Sequence, residues 1–156
     1  VGKVTLVVSH AELQERLDRK FPISKSKSVF NVALINPELE LIAQTDELQM
    51  TVTAQPSALG TRLGESDVTV RGGLRYDKDS KAFYLTDPQV RDVDVADIPE
   101  RYHDKLRRAV DVAVREVLPT IPIYRLDKDT FKHSLHRAFL KRAWVEDHDL
   151  HLEMSL

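Results

Sequence analysis

The chain has 156 residues, 42% of them hydrophobic and 31% charged, which suits one domain with a real core and a charged surface. Its net charge of −2 offers no basic excess for nucleic acid, and the absence of cysteine excludes disulfides, thiolate catalysis and thiolate-type zinc sites. No stretch approaches the length of a membrane span. The first residue is Val1, so a processed or trimmed chain is expected, with any signal peptide or lipid-attachment cysteine lying upstream.

Val4 to Val8 predicts a first strand. Ser9 with Glu12 three residues on is a capping box, and Leu13, Leu17 and Phe21 form the seam of a short helix from His10 to Phe21 that ends before Pro22. Lys25 to Lys27 reads as a polar connector. Phe30, Val32 and Leu34 then alternate as a strand, Asn36-Pro37 signals a turn, and Leu39, Leu41 and Ala43 follow. Thr45-Asp46 turns into a clean strand in which Leu48, Met50, Val52 and Ala54 alternate with polar residues up to Gln55. Pro56 to Gly64 is the least patterned stretch and is expected to cross between parts of the sheet.

Val68, Val70, Leu74 and Tyr76 resume the period of two, and Gly72-Gly73 predicts a bulge or bend within it. Asp77 to Ser80 is a polar hairpin loop. Phe83 and Leu85 return, Asp87-Pro88 is expected to break the strand, and Val93 and Val95 run in a different phase from Val90. Asp97 and Pro99 open a long helix to Leu118, whose apolar stripe is Tyr102, Leu106, Ala109, Val110, Ala113 and Val117, widened by Val112, Val114 and Leu118. Ile121, Ile123 and Leu126 cross the surface around Pro122. Thr130 to Phe139 predicts a short helix with Phe131, Leu135, Ala138 and Phe139 inward. A hairpin closes the chain, with Ala143 and Val145 on one arm, a turn at Asp147-His148-Asp149, and Leu150, Leu152, Met154 and Leu156 on the other.

Residues able to carry chemistry are present but not gathered. His133 and His136 share one element and His148 and His151 another, beside Asp147 and Asp149; zinc needs three or four convergent ligands, so solvent-facing histidines and no metal are expected. Ser9 and His10 are adjacent, but a helix cap is role enough for Ser9. Glu38 with Glu40, and Asp92 with Asp94, lie along strands as the wet face of a sheet. Gly72-Gly73 lacks the spacing of a phosphate loop. The basic groups Arg101, Lys105, Arg107 and Arg108, and Lys132, Arg137, Lys141 and Arg142, read as solvated helix faces.

Several short motifs resemble the YceB-like lipoproteins of Gram-negative bacteria, a family of unknown function. They are Phe21-Pro22 after the leucine seam, Asn36-Pro37-Glu38-Leu39, Leu74-Arg75-Tyr76-Asp77, Phe83-Tyr84-Leu85 with Pro88, and Pro122-Ile123-Tyr124-Arg125-Leu126. The resemblance implies a signal peptide, a lipidated cysteine upstream and residence in the periplasm on a membrane such as the outer membrane. It also implies a fold similar to the tubular lipid-binding group. It carries over no functional residue.

The expectation is therefore a single α+β domain over 1–156. A highly curved antiparallel sheet wraps around the helix from Glu100 to Leu118, with the shorter helix alongside. The expected function is non-catalytic binding of a lipid or other elongated apolar ligand, without cofactor. Its apolar slot would be lined by Leu13, Leu17, Phe21, Leu48, Met50, Val52, Leu74, Leu106, Val110, Ala113 and Val117. A structural or protein-interaction module with a closed core is the alternative.

Overall fold

Strand β3, Phe30–Ile42, shows how this sheet is built. It runs unbroken through Asn36-Pro37, where the sequence suggests a turn. Asn36 and Pro37 together oppose the single residue Val52, because Ile35 pairs with Thr53 and Glu38 with Thr51. Asn36 has a φ of +52°, a left-handed conformation that asparagine tolerates, and a bulge is one of the few places a sheet admits proline. The extra residue switches the inward phase from Phe30, Val32 and Leu34 to Pro37 and Leu39.

The computed structural model describes residues 2–127, 129 and 137–156. In chain order the elements are β1 (Lys3–Val8), α1 (His10–Asp18), β2 (Ile23–Lys27), β3, β4 (Glu47–Ala58), β5 (Thr61–Arg62), β6 (Ser66–Asp77) and β7 (Ala82–Val93). A 3-10 turn (Glu100–Tyr102) then leads into α2 (His103–Val112), followed by a π-turn (Ala113–Val117) and a second 3-10 turn (Leu118–Thr120). The last elements are β8 (Pro122–Arg125), β9 (Phe139–Glu146) and β10 (Asp149–Ser155). The fold is α+β: a strongly curled, antiparallel half-barrel with, among the described residues, two α-helices. The large sheet has the order β2-β3-β4-β6-β7-β8, with β5 paired to the end of β4. Among the described residues a second sheet, β1-β10-β9, sits beyond one end of the first, where the Val145 amide donates to Asp46 Oδ1 at 3.0 Å.

Several expected boundaries move, each for a pairing reason. Residues 23–27 form an edge strand against β3, not only a connector; its Ser and Lys side chains hide the period of two but suit an exposed edge. β4 continues through Pro56, and Leu59-Gly60 turns it back into β5, so no crossing occurs there. At Asp87-Pro88 the Asn36-Pro37 device recurs: Asp87 has a φ of +46°, and the pair opposes the single residue Gly72. The irregularity expected at Gly72-Gly73 is therefore present, with the extra residue on β7. A Cβ on Gly72 would meet the Thr86 carbonyl at 2.9 Å. Arg91 is a second insertion and accounts for the different phases of Val90 and Val93.

Helix α1 ends at Asp18, before Phe21. Ile123 and Leu126 are buried, not superficial, because 122–125 pair with β7. Ala43 lies exposed in the β3–β4 loop. Asp97 does not cap the helix but accepts the Glu65 amide at 3.0 Å, next to Gly64, whose φ is +116°. Most of the predicted helix over 130–139 lies outside the described residues, Phe131 and Leu135 included. Ala138 is buried, whereas Phe139 opens β9 and is 43% exposed. The closing hairpin turns at Asp147-His148, both with positive φ, as a two-residue mirror-image turn requires.

Candidate functional site

The apolar interior is where most of the predicted slot residues converge. Leu13, Leu17, Leu48, Met50, Val52, Leu106, Val110 and Ala113 are buried in one cluster, and Phe21 and Leu74 pack partly buried against it. Val117 is the exception. The π-turn over Ala113–Val117 adds a residue to the turn, so Val114 and Leu118 take the inward positions and Val117 is left half-exposed. On the outer face of this segment Arg107, Arg108 and Arg115 are exposed, and Arg115 pairs with Asp111 at 2.6 Å.

Helix α1 closes the interior in an unusual way. Ser9 Oγ accepts the Glu12 amide at 3.1 Å, as expected of a cap, while the Glu12 carboxylate turns to Arg16 instead of completing a capping box. Beyond Leu34, β3 loses its partner β2, and α1 takes over that bare edge. The Leu39 amide donates to Gln14 Oε1 at 2.8 Å, and Gln14 Nε2 donates to the Pro37 carbonyl. One glutamine amide thus satisfies a donor and an acceptor two residues apart, as a neighbouring strand would. His10 Nε2 donates to the Leu39 carbonyl. On the opposite rim Arg16 Nη1 donates to the Arg125 carbonyl at 3.2 Å, and its guanidinium lies 4.3 Å from the centre of the Tyr124 ring. Leu13 and Leu17 point inward between these two attachments.

Burial pushes the Tyr124 phenol above its usual pKa, with a further rise from the Glu12 charge and a partial offset from Arg16. Burial, then the charge of Asp77, raises Tyr76 in the same way. Both rings pack on Phe83, at 6.2 and 4.8 Å. Asp77 lies below the usual carboxylate range because it accepts hydrogen bonds from the Ser80 hydroxyl and amide.

Ser66 is the residue that sequence reasoning passes over. It lies in phase with Val68 and Val70 on the inward face of β6, opposite Ala54, and is only 2% exposed. Its hydroxyl has no hydrogen-bond partner among the described residues. A serine in the apolar phase of a strand is the signal that could have found it.

Among the described residues the polar candidates are not gathered into one group. Ser9 is a cap and His10 is tied to a backbone carbonyl. His151 stacks on Trp144 at 5.2 Å, so it is less solvent-facing than expected, while His148 is exposed. His133, His136 and Lys132 lie outside the described residues. Among the described residues no three His, Asp or Glu side chains are grouped to hold a metal ion. A cleft of about 720 Å³ opens where the two sheets meet, between His10, the Leu39–Gln44 segment and His148; none of the predicted slot residues lines it. No described helix is long and apolar enough to cross a membrane.

These features define a class: a curled antiparallel half-barrel with an apolar interior, one helix within its curve and a second strapped across its rims. The chain belongs to the family described as "Protein of unknown function (DUF1439)", whose model matches residues 8–148. No curated protein matches it in sequence.

Proposed function

We propose that the protein is a non-catalytic carrier of a lipid or similarly elongated apolar molecule, with a fold of the tubular lipid-binding kind. One observation carries this reading. Leu13 and Leu17 fill the interior from α1, yet α1 is held at its rims by side chains and not by strand pairing. Lifting α1 removes two leucines from the core without breaking the sheet, and the vacated volume is apolar. Each CH₂ transferred there is worth about 0.8 kcal/mol, so roughly ten methylenes suffice for useful affinity. Ser66, at the end of the interior opposite the second sheet, supplies a hydroxyl for the ligand's polar group. The resemblance to YceB-like lipoproteins supports a periplasmic, membrane-anchored setting, with the anchor on an upstream cysteine.

The near-complete burial of the same residues favours one other reading, a structural or protein-interaction module whose core is closed. A fluorescent fatty-acid titration across chain lengths separates the two. Saturable binding is expected. It should change in Met50→Ala, weaken in Ser66→Val and be blocked in Leu17→Trp, where overpacking costs about 1–3 kcal/mol of stability. No saturable binding at any chain length, with Met50→Ala costing about 2–5 kcal/mol as a plain cavity, would put the closed module first.

A further inference from the structure

Two hairpin turns meet at the end of the large sheet farthest from the second sheet. Ser28-Val29 joins β2 to β3, Leu59-Gly60 joins β4 to β5, and the Leu59 amide donates to the Val29 carbonyl at 3.0 Å. Val29 is 55% exposed and Leu59 80%, so two large apolar side chains project together into solvent. Beneath them Phe30 is buried and stacks on Tyr102 at 6.4 Å, which gives the tip a firm base.

Leu59 is out of place by every local rule. It stands first in a mirror-image turn with a φ of +52°, a conformation that suits glycine or asparagine and strains a branched side chain. Its side chain gains almost no packing in return. The segments 25–31 and 57–63 contain Lys25, Lys27 and Arg62 and no carboxylate, in a chain of net charge −2. Lys25 pairs with Glu116 at 3.5 Å, whereas Lys27 and Arg62 form no ion pair among the described residues. Two nearby carboxylates are already hydrogen-bonded within the protein. Glu65 accepts Gln55 Nε2 at 2.7 Å, and Asp97 accepts the Glu65 amide.

We infer that this tip docks on the surface of an anionic lipid bilayer, with Val29 and Leu59 in the interfacial layer and Lys27 and Arg62 against the headgroups. Two side chains are far too little area for a stable protein interface, which needs about 1,000 Å². A bilayer needs only a few apolar groups reinforced by adjacent cations. The inference goes beyond the carrier reading and stands without it, because docking requires no ligand in the core.

The test is flotation with equimolar phosphatidylglycerol–phosphatidylcholine vesicles, against pure phosphatidylcholine, with no fatty acid present. The protein should float with the anionic vesicles and release as salt rises. Leu59→Gly relieves the left-handed strain, so it should melt at the same or a higher temperature while vesicle partitioning falls about tenfold or more. Arg62→Glu should lower partitioning by at least about fivefold, the worth of one cation at such a surface. No flotation, equal binding to pure phosphatidylcholine, or undiminished binding by Leu59→Gly would overturn the inference. So would self-association in solution that Leu59→Gly abolishes, since that would identify a second copy as the occupant.

Discussion

The two helices fasten to the same sheet by opposite means. α2 and the turns that follow it lie in the curve of the half-barrel and are held by apolar burial through Leu106, Val110, Ala113, Val114 and Leu118. α1 buries only Leu13 and Leu17, and its orientation is fixed by His10, Gln14 and Arg16 reaching backbone carbonyls and an amide on β3 and β8. Apolar burial is non-directional and grows with area, so α2 needs a broad stripe. Hydrogen bonds to the sheet rims are directional and few, so α1 can be aligned accurately yet released at modest cost. The sheet's curl sets this division of labour: it encloses α2 and leaves two bare rims for α1 to bridge.

The comparison breaks first at α2. Val110→Asp places an unpaired carboxylate in the apolar interior and should cost at least about 4 kcal/mol, read as a large fall in the denaturant midpoint. An unchanged midpoint would mean that α2 is not the axis of the core. At α1 the expected loss is smaller. Gln14→Ala leaves the Leu39 amide and Pro37 carbonyl to water at the rim, costing about 1–3 kcal/mol. The sharper readout is local: hydrogen exchange at Leu39 and along α1 should quicken while α2 stays protected. Uniform loss of protection would show that α1 is not separable from the core.

The smallest effect is alkaline. Tyr124, beneath Arg16, has its folded-state pKa raised above 10.0. The stability it contributes is full below pH 10.0 and is lost as pH rises through the folded value, because the phenolate seeks water. A decline in stability above pH 10.0 is expected, and Tyr124→Phe should reduce it; an identical decline in that variant would exonerate the α1–β8 contact.

Much of this was legible locally. Period-two runs placed the inward faces of β4 and β6, and the leucine seam placed Leu13 and Leu17, because side-chain direction follows from backbone geometry over a few residues. The closing hairpin was equally plain. Asn36-Pro37 and Asp87-Pro88 misled for a physical reason. Asx-Pro is a turn signal in isolation, but here strands pair on both sides of each dipeptide, and continuing the ladder around a one-residue bulge satisfies more backbone groups than turning. Val117 was misplaced because an α-helical period does not anticipate a π-turn.

What the sequence determined by itself was therefore the apolar faces, the Ser9 cap and the closing hairpin, each set by sterics within a few residues. Only the tertiary structure decided that Gln14 substitutes for a missing strand, that Ser66 faces an apolar interior without a partner among the described residues, and that Val29 and Leu59 share one tip. These depend on groups from 12 to 30 positions apart in the chain, brought together by the pairing and curl of the sheet, and no local period records such distances.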